Sequence, residues 1–351
     1  MSKHFSFSFL YLIGSFTQFA IAAPPPSDMQ WDRNSAMAAV RTVNIDVAVY
    51  EIGDISSLAD DVSTLSRLRS IETRSDWPLP AREATIYQFT RSLAELPRDA
   101  VAVEVMQYLR GFQPRVLVEH EDHGEAFVPL FNIRGAAAGV ENGWQRAEFA
   151  MKAMVLIETN PAALVSGYTK STNNNQRSGY LDALGYAETR DVMAVQAIAL
   201  KQLGKAPELT PLVAATTINN ADISAIEQLL IHGRGAGLSS ALEQLSRGLD
   251  VSEKTTLLVH AIEHAPTTNA ALAMAAWWPG LRHEPAVRDL MMDQLGDPAL
   301  GASAALALAQ SPDIQTIKAL KDTALSDSPA GRRAQMALDF NRSNLTGEVR
   351  P

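Results

Sequence analysis

Two imidazoles and four carboxylates fall within seven residues, Glu119-His120-Glu121-Asp122-His123-Gly124-Glu125. Histidine nitrogen and carboxylate oxygen are ligand types for zinc and other divalent ions, so His120, Glu121, Asp122 and His123 are the candidate metal ligands. The two histidines stand one residue closer than in His-Glu-x-x-His. On a loop, no helical face makes such side chains converge. A solvated charged turn accounts for the same residues, because loop tips are polar by default. The alternative is a metal or partner site.

A second group is His260-Ala261-Ile262-Glu263-His264. It resembles the inverted zinc-peptidase motif His-x-x-Glu-His, in which the histidines hold zinc and the glutamate is the base. That family also needs a carboxylate ligand well downstream, and only Glu284 and Glu348 remain as downstream glutamates. A helix without zinc explains the segment too. Leu257, Leu258, Ala261, Ile262 and Ala265 make its buried stripe, with His260, Glu263 and His264 on the wet side.

Gly233-Arg234-Gly235-Ala236-Gly237 is rich in glycine, but it follows the helical stripe Ile226, Leu229, Leu230 rather than a strand. It also lacks the Lys-Ser/Thr of a phosphate loop, so it reads as a helix–helix turn. Trp277-Trp278-Pro279 offers two residues of the kind that anchor interfaces, and Trp277 and Trp278 are the candidate partner-binding residues. Plugging a seam between helices is the other use of such a pair. There is no Gly-x-Ser-x-Gly elbow and no Asp-Thr/Ser-Gly motif. Cysteine is absent, which removes disulfides, thiolate metal sites and thiol catalysis. No catalytic residue is assigned and no cofactor is expected.

The elements that must position these residues are mostly helical. Val116-Leu117-Val118 and Phe127 to Phe131 flank the acidic loop, as a strand pair or as a long loop between helices. Val43, Ile45, Val47 and Val49 alternate like a strand, whereas Ile55, Leu58, Val62, Leu65 and Leu68 have helical spacing. Ile86, Phe89, Leu93 and Leu96 form a helical stripe, as do Val101, Val105, Tyr108 and Leu109. Helix returns at Glu148 with Phe149, Met151, Met154, Val155 and Ile157. Ser171 to Gln176 is polar and low in complexity, and marks a boundary.

Near the C-terminus the helices repeat. Pro266, Pro298 and Pro329 each close one apolar-periodic segment and open another, and an alanine-rich run follows each. The period is about thirty residues, within the range of stacked supersecondary units. Val287, Leu290, Met291 and Leu295 form one stripe, and Ile314, Ile317, Leu320 and Ala324 another. Proline suits a helix start and breaks its interior, and alanines let neighbouring helices approach.

Asp327-Ser328-Pro329-Ala330-Gly331-Arg332-Arg333-Ala334-Gln335-Met336-Ala337-Leu338 resembles the turn and second helix of a HEAT repeat of the short bacterial type. Asp297-Pro298 and Ala304 to Leu308 keep the turn and the alanines without the arginine. The resemblance implies an α-solenoid that presents a surface to partners, and implies no particular reaction. The expected fold is all-α, a solenoid of stacked antiparallel helix pairs, with a small irregular or β insertion near 115–133.

Lys3, the apolar run Phe5 to Phe19 and Ala20-Ile21-Ala22 make residues 1–22 a signal peptide, too short and too polar for a membrane span. Cleavage leaves Ala23 at the N-terminus, with 29 basic residues against 39 acidic ones and a net charge of −10. That charge disfavours nucleic acid and anionic lipid as partners. The remaining organisation is a helical domain over 27–166, a polar linker over 167–179 and a helical repeat domain over 180–342. The expected protein is periplasmic or secreted, without a membrane span once cleaved. It would be a binding or scaffolding module for another envelope or secreted protein. The alternative is a metal-dependent hydrolase or metal-binding protein built on the His120/His123 loop.

Overall fold

The computed structural model describes residues 26–53, 61–98, 101, 103–121, 126–220 and 222–346. Among them are eighteen helices and one two-stranded sheet. The fold is all-α and its helices pack in neighbouring pairs, as in a helical-repeat solenoid. The signal-peptide segment lies outside the described residues. The chain divides into two compact units, residues 1–141 and 142–351.

In the N-terminal unit, α1 (Arg33–Val40), α2 (Ile45–Ile52) and α3 (Asp61–Thr73) all pack on α4 (Leu79–Ser92). Ala81, Ala84, Ile86 and Phe89 of α4 are buried, and the stripe continues through Leu93 and Leu96. The alternation from Val43 to Val49 does not make a strand. Asn44 accepts the amide of Val47 and caps α2, and Ala48 and Ile52, four residues apart, face the core while Val47 is exposed. A helix start that satisfies an orphan amide thus outweighs a run of β-branched residues.

Beyond α5 (Val103–Gly111), β1 (Leu117–Glu119) and β2 (Phe127–Pro129) pair antiparallel, so the insertion near 115–133 is a hairpin. The chain near Gln30 runs parallel along the other edge of β1, and the Trp31 amide donates to Leu117 O at 2.8 Å. The division between the units falls within the long α6 (Ile133–Thr159).

The C-terminal unit continues from α6 with twelve helices, most of them in packed pairs. These are α7 (Pro161–Lys170) with α8 (Asn174–Leu184), α9 (Thr189–Leu203) with α10 (Thr210–Asn220), then α11 (Ile223–His232) and α12 (Gly235–Gly248). Then come α13 (Val251–His264) with α14 (Thr267–Leu281), α15 (Pro285–Gln294) with α16 (Gly301–Ala309), and α17 (Ile314–Ala324) with α18 (Pro329–Thr346). Of these, α11 packs on α10 and α13, and α12 packs on α10 and α14. Here α8, α10, α12, α14, α16 and α18 form one layer, each packed on the next. One apolar core runs from Ala153 to Leu338. Residues 167–179 are the end of α7, a short turn and the first half of α8, where Asn173 caps the helix by accepting the amides of Asn175 and Gln176.

The three prolines stand at helix starts. Pro266 is the N-cap of α14, Pro298 is in the turn before α16, and Pro329 opens α18. Ala304 and Ala334 are fully buried where α16 meets α18. Val287, Met291 and Leu295 are buried as their spacing predicts, but Ile314 is exposed, because it opens α17 directly after the capping Asp313.

Polar side chains tie one pair to the one before it. Asn269 of α14 donates to Leu230 O and Gly233 O at 2.7 and 3.0 Å, closing the C-terminus of α11. Arg333 of α18 donates to Leu295 O and Asp297 O at 2.7 and 2.8 Å, just beyond α15. Asn341 of α18 donates to Ala309 O and Ser311 O at 2.8 and 3.0 Å, closing α16. The last carbonyls of a helix have no partner within it, so the bonds to Leu230 O and Ala309 O fill standing vacancies, and all of these contacts fix the register between neighbouring helices. Gly301 is required beside Arg333, because a Cβ there would strike the guanidinium and the Leu295 carbonyl.

Candidate functional site

In each unit a surface depression is built from that unit's own elements.

In the N-terminal unit, Gln30 to Arg33 and the Glu119 to Glu121 end of β1 enclose an open cleft of about 560 Å³ with Phe127. The pairing of Gln30 and Trp31 along β1 brings the two segments together. Asp32 caps α1 by accepting the Ser35 amide at 2.8 Å, which holds its carboxyl below the usual range. Arg33 pairs with Glu121 at 3.3 Å across the cleft. His120 and Glu121 of the candidate ligand set therefore line a cavity, whereas Asp122 and His123 lie outside the described residues. Among the described residues, no group of three or more His, Asp or Glu side chains is placed to share a metal ion.

Behind the hairpin, Glu83 of α4 is buried and accepts the amides of Arg115 and Val116 at 2.6 and 3.3 Å. Burial pushes its carboxyl up, against the opposing pull of those amides and of the Arg115 charge. Tyr108 of α5 donates to Glu72 at 2.6 Å, and burial and that bond hold its phenol protonated well above its ordinary value. Glu83 holds the segment leading into β1 and Tyr108 ties α5 to α3; neither lines the cleft.

In the C-terminal unit, α6 and α8 form the walls of a trough of about 690 Å³. Gly179 of α8 sets the contact, because a Cβ there would strike the backbone of α6 at Arg146 and Ala150. Asn175 donates to Asn142 and Gln145 at 3.0 and 3.1 Å, and Arg146 makes a two-pronged ion pair with Asp182. Small residues of α6 (Gly143, Ala147, Ala150) line the trough with Met151, Met154, Leu181 and Tyr186. Much of this apolar surface is in water: Met151 is 65%, Met154 37% and Tyr186 78% exposed.

Sequence reasoning placed Phe149, Met151, Met154, Val155 and Ile157 on one helix but missed that they point two ways. Ala153 and Ile157 are buried, and Met151, Met154 and Val155 are exposed. The signal was available: the C-terminal half of α6 is apolar over more of its circumference than one buried stripe needs.

Trp277 and Trp278 are inside the protein, 0% and 1% exposed, and Trp277 Nε1 donates to Leu242 O at 3.1 Å across the α12–α14 seam. Their place is the seam-plugging one. His260 and His264 stack on α13 with ring centroids 4.7 Å apart, and His264 Nδ1 lies 3.3 Å from His260 O. His260 Nε2 is buried without a hydrogen-bond partner among the described residues, so that ring is not wholly on the wet side. The glycine-rich segment is the turn from α11 into α12. Gly235 there has a φ of 69°, and a side chain at Gly237 would press on Pro211.

Among the described residues no helix is long and apolar enough to cross a membrane. Comparison with known proteins found no matching family model, no matching curated protein and no matching solved structure.

Proposed function

We propose that this chain is an exported, HEAT-like helical-repeat module that binds or scaffolds another protein of the cell envelope. The reading is carried by the α6–α8 trough, whose Met151, Met154 and Tyr186 keep large apolar surfaces in water beside a well-packed repeat core. Soluble proteins rarely leave a contiguous apolar patch without a partner for it. Methionine-rich surfaces suit protein recognition, because the thioether side chain adapts to the shape it meets. Stacked helix pairs give such a surface a rigid support. The leader-like residues 1–22, the missing cysteines and the acid excess agree with a periplasmic or secreted setting.

The test is site-specific photo-crosslinking in cells. A benzophenone amino acid replacing Met151 should give discrete adducts with another envelope protein, on a mature chain whose mass begins at Ala23. The same probe at the exposed Lys318 should give none. A cytoplasmic chain starting at Met1 without adducts at position 151 would sink the reading.

A further inference from the structure

We infer that the trough between α6 and α8 receives an amphipathic helix of a different protein, apolar along one stripe and basic at one end. This rests on the binding-module reading above and adds the occupant. Three features of the trough carry it.

The first is shape. Gly143, Ala147 and Gly185 leave low ground, and Met151, Met154 and Tyr186 rise beside it. Small residues let a helix axis come within about 8–10 Å of its neighbour, and long side chains then close on its flanks. The second is length. From Gly143 to Met154 the lining residues of α6 recur at three- and four-residue steps, which keeps them on one face for about three turns, or about 17 Å. A helix laid alongside would meet that face with its own i, i+3, i+4, i+7 positions, the pattern of helix-in-groove recognition.

The third is charge. Along the trough the charges are already paired, Arg146 with Asp182 and, on the outer side of α6, Lys152 with Glu148 at 2.7 Å. Beyond Met154 and Tyr186 they are not balanced. Glu158 continues the α6 stripe one turn past Met154 and has no ion pair among the described residues. Two residues past Tyr186, Glu188 shares the single cation Arg190 with Asp191. One end of the trough is thus negative and calls for lysine or arginine. A second copy of this chain, with its net charge of −9, and an anionic membrane surface are both poorer complements.

The probe is a synthetic helical peptide about five turns long, with leucines at i, i+3, i+4 and i+7 and a lysine cluster at one end. Its twin carries glutamates in place of the lysines. Binding to the mature protein is followed by fluorescence anisotropy. The lysine peptide should bind, and the glutamate twin about fivefold more weakly, the scale of exposed ion pairs. Met151→Asp should weaken the lysine peptide by more than about tenfold, as loss of a central anchor does. Because Met151 is largely exposed, the thermal melt of this variant should match the parent. Glu158→Lys should reverse the preference between the twins.

Equal binding of the twins, with no reversal in Glu158→Lys, would overturn the basic-end assignment. A concentration-dependent dimer that Met151→Asp dissolves would make a second copy the occupant. If neither peptide binds while position 151 still cross-links to an envelope protein, the helical occupant is wrong and the binding-module reading stands. If cross-links also fail, both fall.

Discussion

The two units differ in how far titrating side chains enter the polar contacts that hold them together. In the C-terminal unit the recurring contact is a side chain from one helix donating to backbone carbonyls of an earlier one. Asn269, Arg333, Asn341 and Trp277 all do this, reaching back between 30 and 39 residues. None of these donors changes charge in the ordinary pH range. In the N-terminal unit Arg67 and Arg82 likewise donate to Ile52 O and Glu72 O at the ends of α2 and α3, but beside them stand contacts whose groups titrate: Glu83 holds Arg115 and Val116, and Tyr108 holds Glu72. A repeated geometry lets one solution serve several seams, whereas packing that does not repeat needs its own solution at each contact. The first kind of structure should fail by loss of packing, and the second should respond to protons.

The largest effect belongs to the repeat seam. Trp277→Ala empties a fully buried site and removes the indole donor that ties α14 to Leu242 O of α12, at a cost of about 3–5 kcal/mol. Chemical denaturation of the full chain measures it. A loss no larger than at an exposed position would mean that the tryptophan pair does not close the α12–α14 seam.

A smaller change sharpens the same point. Ala334→Leu forces extra methylenes between α16 and α18 and should cost about 1–3 kcal/mol. Lys318→Leu, on the exposed side of α17, should stay within about 0.5 kcal/mol. Thermal melts that show the two variants equally harmless would break the register of the repeat.

The contrast between the units also explains what could be read from the sequence. The repeat was legible because its signals are local: Pro266, Pro298 and Pro329 at helix starts, and alanines where helices touch. The caps that join pairs were not legible. Nothing near Asn269 in sequence points to Leu230, and a lone asparagine in an apolar helix has many uses. The hairpin was legible as an alternative, since two short apolar runs around a charged loop suit either a strand pair or a loop. The α2 alternation misled because Val43 to Val49 carries β-branched residues while Asn44 starts a helix. The trough was half legible. The apolar residues of α6 were visible, but which of them water would touch depends on the close passage of α8 at Gly179, a long-range contact.

The finest test of the comparison is the sign of the pH response, which should be opposite in the two units. Glu83 has its folded pKa raised above the ordinary 4.5, chiefly by burial. The groups facing it are the amides of Arg115 and Val116, the Arg115 charge, and the Glu72 carboxylate, which is itself bonded to Tyr108. A group raised in the folded state contributes stability below its unfolded pKa and loses it as pH rises through the folded value. In the C-terminal unit Asp297 and Asp313 are lowered below 3.8, Asp297 by the amides of Leu300 and Ala299 and Asp313 by the amide and hydroxyl of Thr316. Their contribution is present above the unfolded pKa and is lost as pH falls through the folded one. Asp32 of the N-terminal unit shares that acid-side behaviour, but its window lies below that of Glu83. Hydrogen exchange, corrected for the intrinsic rate, reads both effects at named amides. Protection at Arg115 and Val116 should decline as pH rises from about 4.5. Protection at Leu300 and Thr316 should hold there and fall only on strong acidification. Glu83→Gln removes the proton-binding group and should flatten the first trend while leaving the second untouched. Asp297→Asn keeps an acceptor at the cap and should abolish the acid loss at Leu300 alone. If Arg115 and Val116 keep the same pH trend in Glu83→Gln, the buried carboxylate is not what makes the N-terminal unit respond to protons.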